Sequence, residues 1–254
     1  MSPISVYIRT LNEERRIAQV LEAAKKLSDD VIIIDSGSSD KTLEIASSLG
    51  VRVIEQTWLG NGKQKRIGED AAKFDWVLDI DADEVLTDEF INEVTDVFRE
   101  SQKNSTIFSF RLVTVPPVGK PWYGFDNVRR HKLYNRTYIR VPDHAAWDQL
   151  DIPKDASVLS LKHPVLHYSF KDLSHLLRKQ NRVSTVRAYE TPLKSKPYII
   201  LRILVGFPFY FLKAYLIRGQ FRGGLYGLCF STITAFGRWL KDVKMYERHK
   251  GMIP

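Results

Sequence analysis

Two carboxylates one residue apart, Asp81 and Asp83, follow the apolar run Trp76-Val77-Leu78-Asp79-Ile80. At the end of a strand such a pair can converge on one hard cation, directly or through water. Magnesium or manganese held this way keeps positions open for phosphate oxygens. Three further polar clusters carry comparable chemistry. Thr10-Leu11-Asn12-Glu13 follows Ile4-Ser5-Val6-Tyr7-Ile8, and Asp35-Ser36-Gly37-Ser38-Ser39-Asp40 follows Val31-Ile32-Ile33-Ile34. Between these and the acidic pair, Gly60-Asn61-Gly62-Lys63-Gln64-Lys65-Arg66 combines glycines with cations. Each cluster also has a plain structural reading. Acidic residues are favoured near helix N-termini, Asp, Ser and Gly dominate turns, and Lys65 and Arg66 suit a solvated helix face. Their succession, each cluster tied to the end of its own apolar run, is harder to explain by capping alone.

The elements that must position these clusters alternate. The pattern predicts strands at 4–8, 31–34, 51–54 and 76–80, with helices over about 14–27, 42–49, from beyond a loop at Gly60 and Gly62 towards Ala72, and 88–100. Strands alternating with helices imply an α/β fold with a mostly parallel sheet covered on both faces, and in such sheets ligands sit at the carboxyl ends of the strands. After residue 105 the pattern changes. Residues 107–112 read as a strand, Pro116-Pro117 and Pro121 interrupt the chain beyond it, and 122–155 read as irregular, aromatic and polar. Helical spacing returns over 172–189, and no repeat or low-complexity segment is found.

The 254 residues carry a formal charge of +8, unevenly spread. Residues 171–254 hold 16 Lys and Arg against 4 Asp and Glu, or +12, which leaves the remainder at −4. Two such surfaces suggest two different partners. Cys229 is the single cysteine, so neither a disulfide framework nor a zinc cluster is expected. The opening Met1-Ser2-Pro3-Ile4 lacks the pattern of a secretory leader, and a reducing, cytosol-facing location is the expectation.

The T-x-N-E, D-S-G-S-x-D and D-x-D elements, at residues 10–13, 35–40 and 81–83, resemble those of the family 2 glycosyltransferases, which have the GT-A fold. The resemblance implies that Thr10, Asn12, Glu13 and Asp35 frame a nucleotide, with Asp81 near its ribose or phosphate and Asp83 on a divalent metal, Mg2+ or Mn2+. It puts Lys65 where the family often has a basic phosphate contact, and Ser36 where many members have a second aspartate. Trp58-Leu59-Gly60, His167-Tyr168-Ser169-Phe170-Lys171-Asp172-Leu173 and residues 179–184 are similar to the branch typified by the lipopolysaccharide core β-1,4-glucosyltransferases. That similarity implies a hexose, such as glucose from UDP-glucose, moved onto a lipid-linked inner-core oligosaccharide. Other surface glycans, O-antigen or capsule, remain open as acceptors. Residues 1–170 form the expected catalytic domain, with 1–104 binding the nucleotide-sugar and 105–170 facing the acceptor. Residues 171–254 form a basic, aromatic helical extension.

Transfer with inversion needs a carboxylate to take the acceptor's proton, while cations stabilise the departing diphosphate. Where relatives carry a His-Glu pair, Ala145-Ala146-Trp147-Asp148-Gln149-Leu150 offers Trp147-Asp148. Asp148 is the preferred base, with Asp143 and Asp151 as competitors and His144 as a partial substitute for the imidazole. Trp122, Tyr123 and Trp147 are either stacking faces for sugar rings or core. His163 and His167, flanking a strand-like Pro-Val-Leu, lack an evident third ligand and are read as structural.

Residues 198–217 are strongly apolar but interrupted by Arg202, Gly206, Pro208 and Lys213, and 224–240 form a second apolar stretch bracketed by basic residues. This suits helices lying in an anionic membrane interface, with the chain peripheral to the inner face of the cytoplasmic membrane. The alternative is that they pack on the catalytic domain. Two other function classes fit less well. A sugar-phosphate nucleotidyltransferase would carry a Gly-rich basic loop after the first strand, where Thr10-Leu11-Asn12-Glu13 stands instead. A nucleic-acid adaptor would carry a recognition signature, which is absent, so no nucleic acid is expected.

Overall fold

The computed structural model describes residues 3–145 and 147–252, so Ala146 of the Ala-Ala-Trp-Asp segment and Met1-Ser2 of the opening lie outside the described residues. The chain forms two compact units. The first runs to Val113 and resumes over Val128–His167, and the second comprises Thr114–Asn127 and the chain from Tyr168 onward.

In the first unit, β1 (Ile4–Thr10), β2 (Asp30–Asp35), β3 (Arg52–Glu55) and β4 (Trp76–Asp81) form a parallel set in the order β3-β2-β1-β4. The apolar runs of β1 and β2 are buried throughout, as strands covered on both faces require. The register sets Thr10 beside Asp35 and Arg9 beside Asp81, so three polar strand ends lie side by side. Helix α1 (Ile17–Leu27) buries Ile17, Val20, Leu21, Ala24 and Leu27 at helical spacing. It starts three residues later than the sequence predicts. The Glu14 amide donates to Asp40 and the Glu14 carboxylate accepts from the Lys41 amide, which hold residues 14–16 as a turn. α2 (Thr42–Ser48), α3 (Asn61–Ala71) and α4 (Asp88–Val97) follow, the last capped by the Thr87 hydroxyl accepting from the Phe90 amide at 3.1 Å.

Beyond β4 the sheet becomes mixed. The acidic cluster continues directly into β5 (Glu84–Leu86), which pairs antiparallel with β9 (Val165–His167). β6 (Thr106–Thr114) carries β8 (Ser157–Ser160) in parallel. Residues 122–155 are not uniformly irregular, because β7 (Asn127–Asn135) runs antiparallel to β4 within them. Its sequence, Asn-Val-Arg-Arg-His-Lys-Leu-Tyr-Asn, hides the strand because the inward Lys132, only 5% exposed, is held by carboxylates instead of apolar neighbours.

In the second unit, Asp172 caps α5 (Leu173–Glu190) by accepting from the His175 amide. Trp122, Phe170 and Leu176 form one core with Phe125 and Phe230, and Trp122 meets Phe230 edge-on at 5.2 Å. α6 (Lys196–Leu212) passes through a π-helical turn (Lys213–Ile217) and a short 3-10 turn (Gln220–Gly223) into α7 (Gly224–His249). One face of α6 is pinned to α7: Arg202 and Tyr210 both donate to Asp242 at 3.0 Å, and the Trp239 indole donates to the Ile203 carbonyl at 2.9 Å. The opposite face leaves Leu201, Leu204, Val205, Phe209 and Leu212 exposed. The 22 residues Lys196–Ile217, with mean hydropathy 1.7, are long and apolar enough to cross a membrane by length and composition.

Asp30 supplies a test of the first unit. Its carboxylate accepts from the Ser5 hydroxyl (2.5 Å), the Lys73 amide (2.8 Å) and Arg52 (2.7 Å). Burial pushes its pKa up, but these bonds outweigh that and hold it below the usual value. A lowered folded-state pKa gives stability that is complete above the unfolded value of about 4 and lost as pH falls through the folded value. Asp30→Asn is therefore expected to lower stability at pH 7 by about 1–3 kcal/mol. It should also flatten the decline below pH of about 4, both read by urea titration across pH.

Candidate functional site

Side chains from β1, α3, β4, β5 and β7 meet at the carboxyl ends of the parallel strands. Arg9 of β1 donates through Nη2 to Asp81 Oδ1 at 2.6 Å and lies 3.3 Å from Asp148 Oδ2. Lys65 of α3, almost wholly buried, holds Asp79 Oδ2 at 2.7 Å and Asp148 Oδ2 at 3.1 Å. Lys132 of β7 reaches Asp81 Oδ2 at 3.1 Å and Glu84 Oε2 at 2.7 Å. The buried charges of Lys65, Asp79, Lys132 and Glu84 are tolerated because each meets an opposite one. Burial pushes the Asp81 carboxyl up, but Arg9, Lys132 and Lys65 overcome this and keep it well below the ordinary carboxylate range. Burial likewise opposes the charges of Arg9 and Lys132, and the surrounding carboxylates more than restore them. Glu84 goes the other way: burial, reinforced by Asp81 and Asp83, raises it despite Lys132.

The segment that brings Asp148 here is seated on the start of α3. The Asn61 amide donates to the Ala145 carbonyl and the Gly62 amide to the His144 carbonyl, and Arg66 Nε donates to the Val141 carbonyl. The approach demands glycine. A Cβ at Gly62 would lie 2.1 Å from the Pro142 carbonyl oxygen, and Gly60 combines φ 115 with a contact of 2.5 Å to the Ala145 backbone. The resulting cavity of about 260 Å3 is lined by Lys65, Asp81, Glu84, Lys132, Asp148 and His167 among others.

At one side of this cluster, ligand atoms of Asp83, Glu84 and His167 all lie within 4.8 Å of one another, with His167 Nε2 3.4 Å from Asp83 Oδ2. Carboxylate oxygens with one imidazole suit a divalent first-row cation, and the nitrogen donor favours manganese over magnesium. The chemistry of the donor set therefore fits the metal that the sequence motif implies. His167, read from sequence as structural, is part of this cluster, whereas His163 is exposed away from it.

The other sequence-predicted residues form two interlocked turns. The Asn12 amide donates to Ser38 Oγ, and Asn12 Oδ1 accepts from the Ser39 amide, both at 2.8 Å, with Asn12 in the left-handed region at φ 55. The Glu13 amide donates to Thr42 Oγ1. Asp35 is fully buried, and its carboxylate accepts from the Gly37 and Ser38 amides and the Ser38 hydroxyl, so it shapes the turn. Ser36 Oγ accepts from Gln64 of α3. Thr10 Oγ1 is buried without a hydrogen-bond partner among the described residues, as is Asp79 Oδ1.

The structure thus brings Lys65, Asp81 and Asp148 to one cavity, sets Asp83 beside it, and puts Thr10, Asn12, Glu13, Asp35 and Ser36 on the adjoining turns. Asp143 and Asp151, the competing base candidates, are exposed and do not line the cavity. Trp122 is buried in the second unit, while Tyr123 and Trp147 are exposed. Sequence reasoning missed Arg9, Asp79 and Lys132, and it placed Glu84 in the acidic cluster without a role of its own. The signal available was a charge inside an apolar strand, as at Asp79, which in a buried strand demands a partner.

Comparison with known proteins gives a consistent result. The sequence profile described as Glycosyl transferase family 2 matches residues 5–149. An uncharacterised glycosyltransferase of Rickettsia typhi is 32% identical over 256 residues, covering 97% of this chain and 88% of the relative. The lipopolysaccharide core biosynthesis glycosyltransferase LpsC of Rhizobium meliloti is 25% identical over 255 residues, covering 97% and 93%. Among solved structures, S. aureus TarS 1–349 aligns over 99% of this chain and 92% of that one, at 17% identity and a TM-score of 0.48.

Lys65→Met tests the charge cluster. It strips Asp79 of its cation, and breaking one side of a buried pair costs about 3–5 kcal/mol. The urea midpoint should fall accordingly, whereas Lys63→Met, at an exposed position of the same helix, should change stability by less than about 0.5 kcal/mol.

Proposed function

The chain belongs to glycosyl transferase family 2, and from that premise we propose that it moves a hexose from a uridine-diphosphate sugar to a lipid-linked oligosaccharide, with inversion. The observation that carries this reading is the meeting of Asp148, the cations Arg9, Lys65 and Lys132, and the Asp83–Glu84–His167 cluster around one cavity. The name of the Rhizobium meliloti relative supports a lipopolysaccharide core acceptor.

In this reading the turns at 10–13 and 35–40 frame the nucleotide. Asp83 and His167, with Glu84, would hold a divalent cation, whose positive charge would favour departure of the diphosphate. Arg9 and Lys65 hold Asp148 in the free protein. A diphosphate in the same cavity offers these cations a competing anion and releases the Asp148 carboxylate to act as base. The acceptor oxygen then attacks the anomeric carbon, its proton passes to Asp148, and the bond to the diphosphate breaks with its electron pair leaving on the phosphate oxygen. Asp81, held by Arg9 and Lys132, positions those two cations.

Within the first unit, residues 105–113 and 128–167 serve the acceptor, and the helices of the second unit serve the membrane. α6 fixes Arg202 and Tyr210 to Asp242 on one face and leaves the other apolar and exposed. That asymmetry supports α6 lying in the interface at the inner face of the cytoplasmic membrane, next to a lipid-linked acceptor.

Calorimetric titration with UDP tests the donor site. Binding is expected to require Mn2+ and to weaken at least roughly tenfold in Asp83→Ala. UDP binding that ignores both metal and Asp83 would remove the metal from the account, and binding of GDP or CDP in place of UDP would reassign the nucleotide. Asp148→Asn should retain UDP and lower kcat about 10²–10⁴-fold. An unchanged kcat would transfer the base role to another group.

A further inference from the structure

We propose that a cation-lined cleft within the second unit binds the phosphate of an anionic membrane lipid, so that α6 meets the bilayer at one fixed place. This rests on the membrane-interface part of the function proposed above and is independent of its sugar chemistry. The cleft, about 310 Å3, lies among α5, the π-helical turn after α6, and α7. Lys179, Arg187, Lys213, Arg218 and Arg238 line it, against the single carboxylate of Asp126. Lys179 donates to the Ser169 carbonyl at 2.9 Å. Among the described residues, Arg187, Lys213, Arg218 and Arg238 form no ion pair, while the nearby Asp242 is taken by Arg202 and Lys241. The crowding is felt at Arg238, whose pKa is pushed down by burial and then by Arg218 and Arg187.

A cluster of like charges that the protein leaves uncompensated is stabilised by an anion, and planar guanidinium groups match phosphate oxygens in bidentate fashion. Gln220 adds an independent sign. It is 2% exposed, lines the same cleft, and its Oε1 has no hydrogen-bond partner among the described residues. Rotated about its last torsion, the amide presents its NH2 group to a phosphate oxygen instead.

The residues between the cations identify the phosphate as one carried by a lipid. Lys213 and Arg218 bracket Leu216 and Ile217, and Phe221 lies just beyond; all three apolar side chains are exposed, Ile217 to 78%. Leu204, Val205, Phe209 and Leu212 extend this surface along α6. A soluble anion gains nothing from such neighbours, whereas a phospholipid fills the cleft with its headgroup and lays its acyl chains on the apolar face.

The test is flotation of the full chain with phosphatidylcholine vesicles, with and without phosphatidylglycerol. Wild type is expected to float only with the anionic lipid. Arg218→Gln/Arg238→Gln should lose roughly tenfold or more in affinity, while Arg178→Gln/Arg182→Gln, which removes equal charge from exposed positions of α5, should lose no more than about a third of that on a logarithmic scale. Equal losses in the two pairs would mean diffuse attraction and overturn the cleft. Calorimetric binding of inorganic phosphate to the lipid-free protein, as tight as binding to the vesicles, would make it a soluble-anion site and also overturn the proposal. UDP binding, measured in parallel, should be unchanged in both pairs; its loss in wild type would strike the donor reading and leave this one intact. If the cleft variant fails to fold, a photoreactive phosphatidylglycerol analogue settles the matter on wild type. Crosslinks at Arg218, Gln220 or Arg238 support the site, and crosslinks confined elsewhere refute it.

Discussion

Three cations, Arg9, Lys65 and Lys132, interlock with Asp79, Asp81, Glu84 and Asp148 at the carboxyl ends of β1 and β4, with Asp83 at the margin. In a medium of low polarity these groups are tolerable only as a set, because removing one strands the charge it faced. At its margin the Asp83–Glu84–His167 group brings two carboxylates and an imidazole within 4.8 Å of one another, a spacing that a divalent cation can bridge. Burial, reinforced by Asp81 and Asp83, raises Glu84 against the opposing charges of Lys132 and His167.

The scaffold keeps this set in register through contacts that are themselves polar and buried. Glu69 accepts from the Tyr134 hydroxyl at 2.8 Å, from Arg140 at 2.6 Å and from the Val141 amide at 2.8 Å, and Tyr134 shares a hydrogen bond with Tyr7 of β1. The network ties α3, β1 and β7 to the segment leading to Asp148. It fixes the chain at Val141, and the Gly60 and Gly62 contacts fix it again a few residues on. The proposed base therefore sits on an irregular segment that is clamped at two points, as a positioned proton acceptor requires.

The parallel strands were legible because buried parallel strands are written as continuous apolar runs, and because each run ended in polar residues with turn chemistry. Asp81, Asp83 and the 35–40 turn emerged from that. The features that stayed hidden depend on pairing across long separations. β7 looked irregular because Arg129, Arg130, His131 and Lys132 mask its alternation, and only the meeting of Lys132 with Glu84 explains an inward lysine. Asp79 read as strand interior and Arg9 fell between the predicted strand and the Thr10 cluster, so neither showed its partner. His167 lacked a third ligand in the local sequence, and the antiparallel pairing of β9 with β5, which sets Glu84 beside it, supplies one from more than 80 residues away.

The two units divide the work proposed for the chain: sugar transfer in the first and attachment to the lipid surface in the second. The central claim concerns the first, that a divalent metal is held at Asp83 and His167 beside the diphosphate. Anomalous diffraction at the manganese edge, from crystals grown with Mn2+ and UDP, addresses it directly. The account predicts one strong peak within coordination distance of Asp83 and His167, in contact with the diphosphate. A fully bound UDP with no anomalous peak there, or a peak held by other residues, would contradict it.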